Sequence, residues 1–262
     1  MASTPRSSSA ATFRPIARQQ VLPLDWEDDR SFENFDIGGQ ADNALALQAL
    51  QDLLQQRHHA ALYLWGDTGS GKSHLLWAAC HAAQKQGRWA LLLTPQTPAS
   101  AWPDVNDLLA QHPGGLLAVD DAQALTDWQQ DWVFGLYNAA RSADLAFLAA
   151  GHAAPAALPL RADLRTRLGW GLALRLTAPD DEVRARVLQR LAQERGYTLS
   201  PELLHYMQTH LSRDLSQLAR LMAAFDRYAL AAQRPATIPL LKSLLAEQPQ
   251  LLRTAAPESV PG

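Results

Sequence analysis

One short segment of the sequence, GDTGSGKS at residues 66–73, has the residue types and spacing of a phosphate-binding loop. It reproduces the pattern G-x-x-x-x-G-K-[ST] in full, between an apolar run and a segment with helical periodicity. Its glycines permit backbone angles that turn N–H groups toward phosphate oxygens, and the following helix adds the positive end of its dipole. The segment predicts a binding site for ADP or ATP, formed by Gly66, Asp67, Thr68, Gly69, Ser70, Gly71, Lys72, Ser73 and His74.

A second element, the acidic segment LLAVDDAQ at residues 116–123, follows about 45 residues after the phosphate loop and completes the predicted site. Lys72 is expected to reach the β and γ phosphates, and the Ser73 hydroxyl is expected to hold Mg²⁺. Asp120 stands at the carboxyl end of an apolar strand, which predicts a second Mg²⁺ ligand, and Asp121 is positioned to orient or deprotonate a water. The alternative is an acidic pair that only caps a helix after the strand.

The segments around these motifs alternate between strand-like and helix-like patterns. Continuous apolar runs predict strands buried on both faces at residues 61–65, 89–93, 115–119, 145–150 and 172–176. Helical spacing of apolar residues predicts helices at 43–56, 73–86 and 127–140. Because strands alternate with helices, the predicted fold class is α/β, with a five-stranded parallel sheet flanked by helices on both faces.

The pattern changes after Pro179 to helices alone. Residues 180–196 begin with acids and end at Gly196, and Ser200 followed by Pro201 predicts the start of another helix. Further helical spacing covers 215–225 and 237–247. A small all-α domain therefore follows the α/β core.

Composition excludes several classes of protein. The chain has 262 residues, a net charge of −3 and one cysteine, Cys80, so it has no internal disulfide and no bulk positive charge for coating DNA. It contains no run of 18 apolar residues, so no membrane span is expected. Residues 1–18 are rich in Ser, Ala and Arg without acids, which is typical of a disordered basic tail and also of an organelle transit peptide.

Four segments together resemble AAA+ ATPases of the replication-initiator class and, within that class, the Hda family of DnaA-related regulators. They are SFENF at 31–35, VDDAQ at 119–123, LRTRLGWGL at 164–172 and LSRDLSQLARLMAAFDRYAL at 211–230. The resemblance runs from about residue 19 to 245 and implies a P-loop AAA+ core with a helical lid. It also implies cytoplasmic localisation, with nucleoid association through partners.

Two arginines gain roles from this resemblance. LRTRLGWGL is similar to the family's box VII, which implies that Arg167 is an arginine finger that acts in trans; a solvated basic face at Arg165 and Arg167 is the alternative. The 211–230 segment is similar to the sensor 2 helix, which implies that Arg213 contacts the nucleotide. The alternative for Arg213 is a surface ion pair with Asp214 or Glu202.

One position departs from the family pattern. Family members carry Asp, Asn, Ser or Thr at the sensor 1 position, where this sequence has Gly151 and His152. A histidine donates a hydrogen bond, but its protonation changes near neutral pH. The intrinsic ATPase activity is therefore left open, whereas nucleotide binding is expected.

The peptide RQQVLPLDW at 18–26 lies ahead of the core. An extended peptide of this type places leucines in an apolar groove, and the Hda family has a similar peptide that binds the ring-shaped sliding clamp of the replicase. Gln19, Leu22, Pro23 and Leu24 match that pattern. A strap that packs Leu22 and Trp26 onto the protein's own core is the alternative.

The resemblance implies a division of the chain and a function. The expected segments are a disordered basic tail at 1–18, a clamp-binding peptide at 19–26, a nucleotide-binding AAA+ core at 27–178, a helical lid at 179–246 and a second tail at 247–262. The implied function is a nucleotide-bound regulator, typically with ADP, which docks on ATP-bound DnaA while tethered to the DNA-loaded clamp and stimulates DnaA to hydrolyse its ATP. DNA is then contacted only through the clamp, no membrane is contacted, and self-association is left open.

Two alternatives belong to other functional classes. One is an autonomous AAA+ ATPase that remodels DNA in the manner of a helicase loader, which the complete phosphate loop and Asp121 permit. The other is an initiator paralogue that other factors anchor to DNA.

Overall fold

A five-stranded sheet forms the centre of the structure, a computed structural model that describes residues 30–55, 61–140, 144–212 and 214–252. All pairings are parallel. The strands are β1 (Ala61–Trp65), β2 (Ala90–Leu93), β3 (Leu116–Val119), β4 (Ala146–Gly151) and β5 (Leu172–Arg175), in the spatial order β2-β3-β4-β1-β5. Because the strands run in one direction, the loops after β1, β3 and β4 emerge at the same edge of the sheet.

Helices cover both faces of this sheet, and the sheet separates two apolar clusters. One cluster includes Leu50 and Leu75 with one face of the strands, and the other includes Leu136 and Leu164 with the opposite face. The helices are α1 (Ala41–Gln55), α2 (Lys72–Lys85), α3 (Val105–Gln111), α4 (Asp127–Ala140) and α5 (Ala162–Leu168). The predicted α/β class with a parallel sheet and helices on both faces is confirmed.

The prediction that all five strands are buried on both faces is wrong for β5. Leu174 is buried, whereas Leu172 is 50% exposed and Ala173 and Arg175 are exposed. β5 lies at the edge of the sheet beside β1, so it has a neighbour on one side only. An apolar run therefore identified the strand correctly but could not tell an edge strand from a central one.

A third apolar cluster holds the C-terminal helices together. These are α6 (Asp181–Glu194), α7 (Pro201–His210), α8 (Leu215–Ala232) and α9 (Ile238–Glu247). Leu188, Leu203, Met222 and Phe225 are fully buried among them. The Ser200 side chain accepts a hydrogen bond from the backbone N–H of Leu203, which confirms the predicted helix start. No helix in the described part of the chain is long and apolar enough to cross a bilayer.

Candidate nucleotide site

The phosphate loop follows β1 and ends in the first turn of α2, and two of its positions accept no side chain. Gly66 has φ of 155°, and a Cβ there would lie 2.2 Å from the carbonyl oxygen of Leu176. Gly71 has φ of 93°, and a Cβ there would lie 2.6 Å from Cε2 of Phe35. Only glycine fits these backbone angles and contacts without strain. The loop is therefore a cradle of backbone groups, which is the shape that a diphosphate requires.

Lys72 is folded back onto this loop and is only 9% exposed. Its Nζ donates to the carbonyl oxygens of Gly66 and Asp67, each at 2.8 Å, and to Oγ of Ser70 at 3.3 Å. Burial lowers the pKa of the ammonium group, and the nearby carboxylates of Asp120 and Asp121 oppose that shift. A cation held this close to the loop by weak neutral acceptors is available to a phosphate oxygen, which forms a stronger charge-assisted hydrogen bond.

The structure brings Ser73 and Asp120 together, as the motif spacing predicts. Asp120 is 5% exposed and follows β3, while Ser73 lies in the first turn of α2. A hydrogen bond from Ser73 lowers the pKa of Asp120, but burial, the larger effect, raises it, so that the net shift is upward. A hydroxyl beside a desolvated carboxylate is a suitable pair of oxygen donors for Mg²⁺, whose charge would compensate the buried one.

Asp121 and the sensor 1 position are linked through Gln123, which the sequence analysis did not assign to the site. Asp121 is exposed, in a left-handed conformation with φ of 49°. The Gln123 amide donates to Oδ1 of Asp121 at 3.1 Å, and its oxygen accepts from the backbone N–H of His152 at 3.2 Å. This contact ties the end of β3 to the end of β4, which no spacing along the chain indicates.

Tyr63 explains why a glycine ends β4. A Cβ at Gly151 would lie 2.2 Å from the Tyr63 hydroxyl, which donates to the carbonyl oxygen of Ala153 at 2.9 Å. The tyrosine hydroxyl thus fills the space that a side chain at 151 would need. His152 is exposed beside it, and its catalytic role stays a prediction.

A cavity of about 570 Å³ opens between the phosphate loop and the helical domain. Gly69, Ser70, Gly71 and His74 line it from the loop side, and α6 and α8 line it from the other. Its walls include five arginines and three aspartates: Arg30, Arg190, Arg195, Arg220, Arg227, Asp36, Asp180 and Asp226. The excess of arginine favours an anionic ligand. The sequence analysis missed Arg220, although it lies on the same predicted helix as Arg213.

One wall of the cavity is the segment 34–38, which contacts both domains. Asp36 accepts two hydrogen bonds from Arg186 of α6, and the carbonyl oxygen of Asn34 accepts one from Arg190 at 2.5 Å. On the core side, Phe35 packs against Gly71, and His74 contacts the carbonyl oxygen of Ser31 at 2.8 Å. A ligand in the cavity therefore touches a segment that also holds the helical domain.

Asn43, in the first turn of α1, fixes the start of the connection to the helical domain. It is 3% exposed, donates to the carbonyl oxygens of Ile37 and Thr177 and accepts from the backbone N–H of Thr177. Three partly buried backbone groups thus bond to one side-chain amide.

Arg167 lies away from the cavity, near the end of α5. The chain next reaches Gly171, where a Cβ would lie 2.3 Å from the carbonyl oxygen of Ala61, the first residue of β1. The phosphate loop follows Trp65, the last residue of β1. Five strand residues span roughly 16 Å, so Arg167 and the phosphate loop lie toward opposite edges of the sheet.

Several predicted residues lie outside the described part of the chain. They are Arg213 and the peptide residues Gln19, Leu22, Pro23 and Leu24. Their roles stay predictions, as do the roles of the placed residues above.

Comparisons with known proteins show which proteins this chain resembles. Residues 181–245 match the family described as Hda, lid domain. The structure resembles domain III of the Thermotoga maritima replication initiation protein DnaA, with a TM-score of 0.67, 20% identity, and coverage of 84% of this chain and 97% of that one. AMPPCP-bound DnaA from Aquifex aeolicus gives a TM-score of 0.61 at 21% identity, over 75% of this chain and 65% of that chain.

A motor protein shares the same architecture. The Thermotoga maritima RuvB Holliday junction branch migration motor gives a TM-score of 0.61 at 14% identity, over 83% of this chain and 72% of that one. Identities this low show a common fold alone, whereas the lid match is specific to one family. The protein therefore combines a core that has the fold of DnaA domain III with a C-terminal lid that matches the Hda lid-domain family.

Proposed function

We propose that this protein is a nucleotide-bound regulator of replication initiation, which docks on ATP-bound DnaA and stimulates hydrolysis of the ATP held there. The observation that carries the proposal is the position of Arg167, toward the opposite edge of the sheet from the protein's own phosphate loop. A guanidinium in this place is directed to a ligand on another molecule, where it would stabilise charge that develops during phosphoryl transfer.

The protein's own nucleotide has a structural role in this proposal. The loop at 66–73, with Lys72, would hold a diphosphate, Ser73 and Asp120 would hold Mg²⁺, and the cavity would take the remainder. ADP or ATP there would contact the segment 34–38 and the helical domain at once, so the bound nucleotide would favour one angle between core and lid. The AMPPCP complex of the related DnaA supports a nucleotide as the ligand.

Two partners follow from this proposal. DnaA supplies the ATP that is hydrolysed, and the sliding clamp holds the regulator on DNA through residues 19–24. DNA itself is contacted only through the clamp.

Steady-state ATPase measurements on three mixtures test the proposal: the protein alone, the protein with ATP-bound DnaA, and both with clamp loaded on DNA. We expect turnover only when DnaA is present, strongest with the loaded clamp, and its loss in Arg167→Ala. High turnover by the isolated protein would instead support an autonomous ATPase, a function that the contact between Ser73 and Asp120 permits.

A clamp pull-down tests the tether separately. The double variant Gln19→Ala, Leu22→Ala should lose clamp binding, because it removes one hydrogen-bonding side chain and one apolar anchor of the peptide. Undiminished clamp binding by the double variant would contradict the assignment of residues 19–24.

A further inference from the structure

The guanidinium of Arg167 rests on an aromatic surface. Its Cζ lies 3.9 Å from the centroid of the Trp170 ring and 5.8 Å from the centroid of Phe134. Within the described residues it has no carboxylate and no hydrogen-bond acceptor. Trp170 itself is 65% exposed, so the stacked pair lies at the surface of the protein.

A neighbouring arginine shows the more common arrangement. Arg161 lies at 5.8 Å from the same Phe134 ring, but its guanidinium donates to the carboxylates of Asp131 and Asp163. The two arginines thus share an aromatic neighbour, but only Arg161 donates hydrogen bonds to carboxylates. The difference leaves the charge of Arg167 available to an external anion.

The backbone after α5 determines which side chain covers Arg167. The N–H of Trp170 donates to the carbonyl oxygen of Arg167 at 3.1 Å, so the chain closes a tight turn and residues three apart share a face. Gly171 then presses against Ala61 so closely that no side chain fits. Trp170 is consequently fixed between a helix end and β1, with its ring over the guanidinium.

This type of contact has a specific chemical consequence. A cation–π contact uses the flat face of the guanidinium, whereas its N–H donors point outward in the plane of the group. Stacking on Trp170 therefore restricts the rotamers of Arg167 without consuming the donors that recognise a phosphate. A carboxylate partner would restrict the side chain too, but it would occupy those donors and neutralise the charge.

From this geometry we propose that Trp170 is a positioning residue. Its indole face holds the Arg167 guanidinium with its N–H donors pointing outward, ready for the phosphate of a nucleotide bound to another protein. The inference rests on the proposed function, because it assigns a role to Trp170 in the action of Arg167 on the ATP of DnaA. It adds that the guanidinium is already ordered when the phosphate reaches it, so less side-chain entropy is lost on the way to the transition state.

The stack itself is measured without any partner. In protein labelled with ¹⁵N-arginine, the Nε–H resonance of Arg167 is assigned by its disappearance in Arg167→Lys. We expect the indole ring current to shift this resonance upfield in the unaltered protein and the shift to disappear in Trp170→Leu. An Arg167 resonance that is the same in both proteins would overturn the inference, whatever DnaA does.

The functional consequence is measured by DnaA-dependent ATP hydrolysis at saturating concentrations of this protein. Trp170→Leu keeps an apolar side chain but removes the aromatic face, and Trp170→Phe keeps a smaller aromatic face. We expect the saturating rate to fall roughly threefold to thirtyfold in Trp170→Leu, because this factor corresponds to the free energy of a cation–π contact that becomes desolvated on docking. In Trp170→Phe the rate should largely recover.

The outcomes separate positioning from simple docking. Equal rates in Trp170→Leu and Trp170→Phe, or a change only in the concentration that gives half of the maximal stimulation, would mean that the indole is an ordinary contact and would overturn the inference. If Arg167→Ala retains full stimulation, the proposed function fails and the functional part of the inference fails with it. Full loss in Arg167→Ala with no loss in Trp170→Leu overturns the inference alone.

Discussion

Lys72 and Arg167 are two cations held in opposite ways. Lys72 is buried in the phosphate loop, where backbone oxygens accept its hydrogen bonds and desolvation lowers its pKa. Arg167 is half-exposed near the end of α5 and is held by the face of Trp170. The first arrangement suits a resident ligand that completes a closed site, and the second suits a ligand that arrives with another molecule.

The two sites are connected through one strand. The phosphate loop leaves the carboxyl end of β1, whereas the turn after Arg167 is pressed against the amino end of the same strand. The length of β1 therefore separates the phosphate loop from the surface that carries Arg167 and Trp170. Changes at one site should leave the other intact, and the following predictions test that separation in order of decreasing effect.

The largest effect is expected for Arg167→Ala. DnaA-dependent ATP hydrolysis should fall about 10³-fold, because the guanidinium no longer neutralises transition-state charge. The affinity for ADP, measured by isothermal titration calorimetry, should be unchanged. Arg165→Ala is the matched control, since Arg165 lies on the same helix and has only a long 3.5 Å contact to the carbonyl oxygen of Ala156. Equal losses in both variants would contradict a specific role for Arg167.

Lys72→Met should produce the converse result. It keeps the length and apolar stem of the side chain but removes the charge, so ADP affinity should fall roughly tenfold to hundredfold, the range for a charge-assisted hydrogen bond to phosphate. The Nε–H resonance of Arg167 should keep its position, because that stack does not depend on the loop. An unchanged ADP dissociation constant would show that the ammonium group does not reach the phosphates.

Asn43→Ala should destabilise the segments beside the nucleotide site that Asn43 connects. Partly buried backbone groups of Ile37 and Thr177 lose their partner, which should lower the free energy of unfolding by about 1–2 kcal/mol in urea titrations. The exposed Asn138→Ala is the control, with a change of less than about 0.5 kcal/mol. If both variants unfold alike, Asn43 does not hold the connection between the two domains.

The smallest effect is expected for the pair of Asp36 and Arg186. The hydrogen bonds from Arg186 lower the pKa of Asp36, so this carboxylate stabilises the folded state above the ordinary aspartate pKa of about 3.9. The contribution should disappear as the pH falls through the lowered pKa. Urea titrations at pH 7 should show Asp36→Asn slightly less stable than the unaltered protein, and the difference should shrink as the pH falls through the lowered pKa. A difference that is constant with pH would contradict this assignment.

Local patterns predicted most of the elements, because each depends on neighbours in sequence. The apolar runs located all five strands, and helical spacing located α1, α2 and α4 within about two residues at each end. The helices α3 and α5 were not predicted, since seven residues span only two turns and give too little periodicity. The exposure of β5 was predicted wrongly, because position within a sheet is not a local property.

The same distinction applies to the candidate site. The glycine spacing predicted the phosphate loop, and the structure adds that Leu176 and Phe35 leave no room for side chains at Gly66 and Gly71. The motif also predicted the proximity of Ser73 and Asp120. Gln123, Asn43 and Arg220 were missed, because their contacts join segments far apart in the chain and no fixed spacing marks them.

The sequence by itself determined the class of fold, the phosphate loop and the pairing of that loop with an acidic strand end. Motifs and periodicity can be recognised in this way because they depend on residues that are close together in the chain. Only the tertiary structure decided where the arginines point. Arg161 contacts two carboxylates and Arg167 contacts Trp170, although Arg161 directly precedes α5 and Arg167 lies in its last turn. The reason is physical: the direction and neutralisation of a charged side chain depend on what packs around it, and in this protein the parallel sheet sets Arg167 apart from the protein's own phosphate loop.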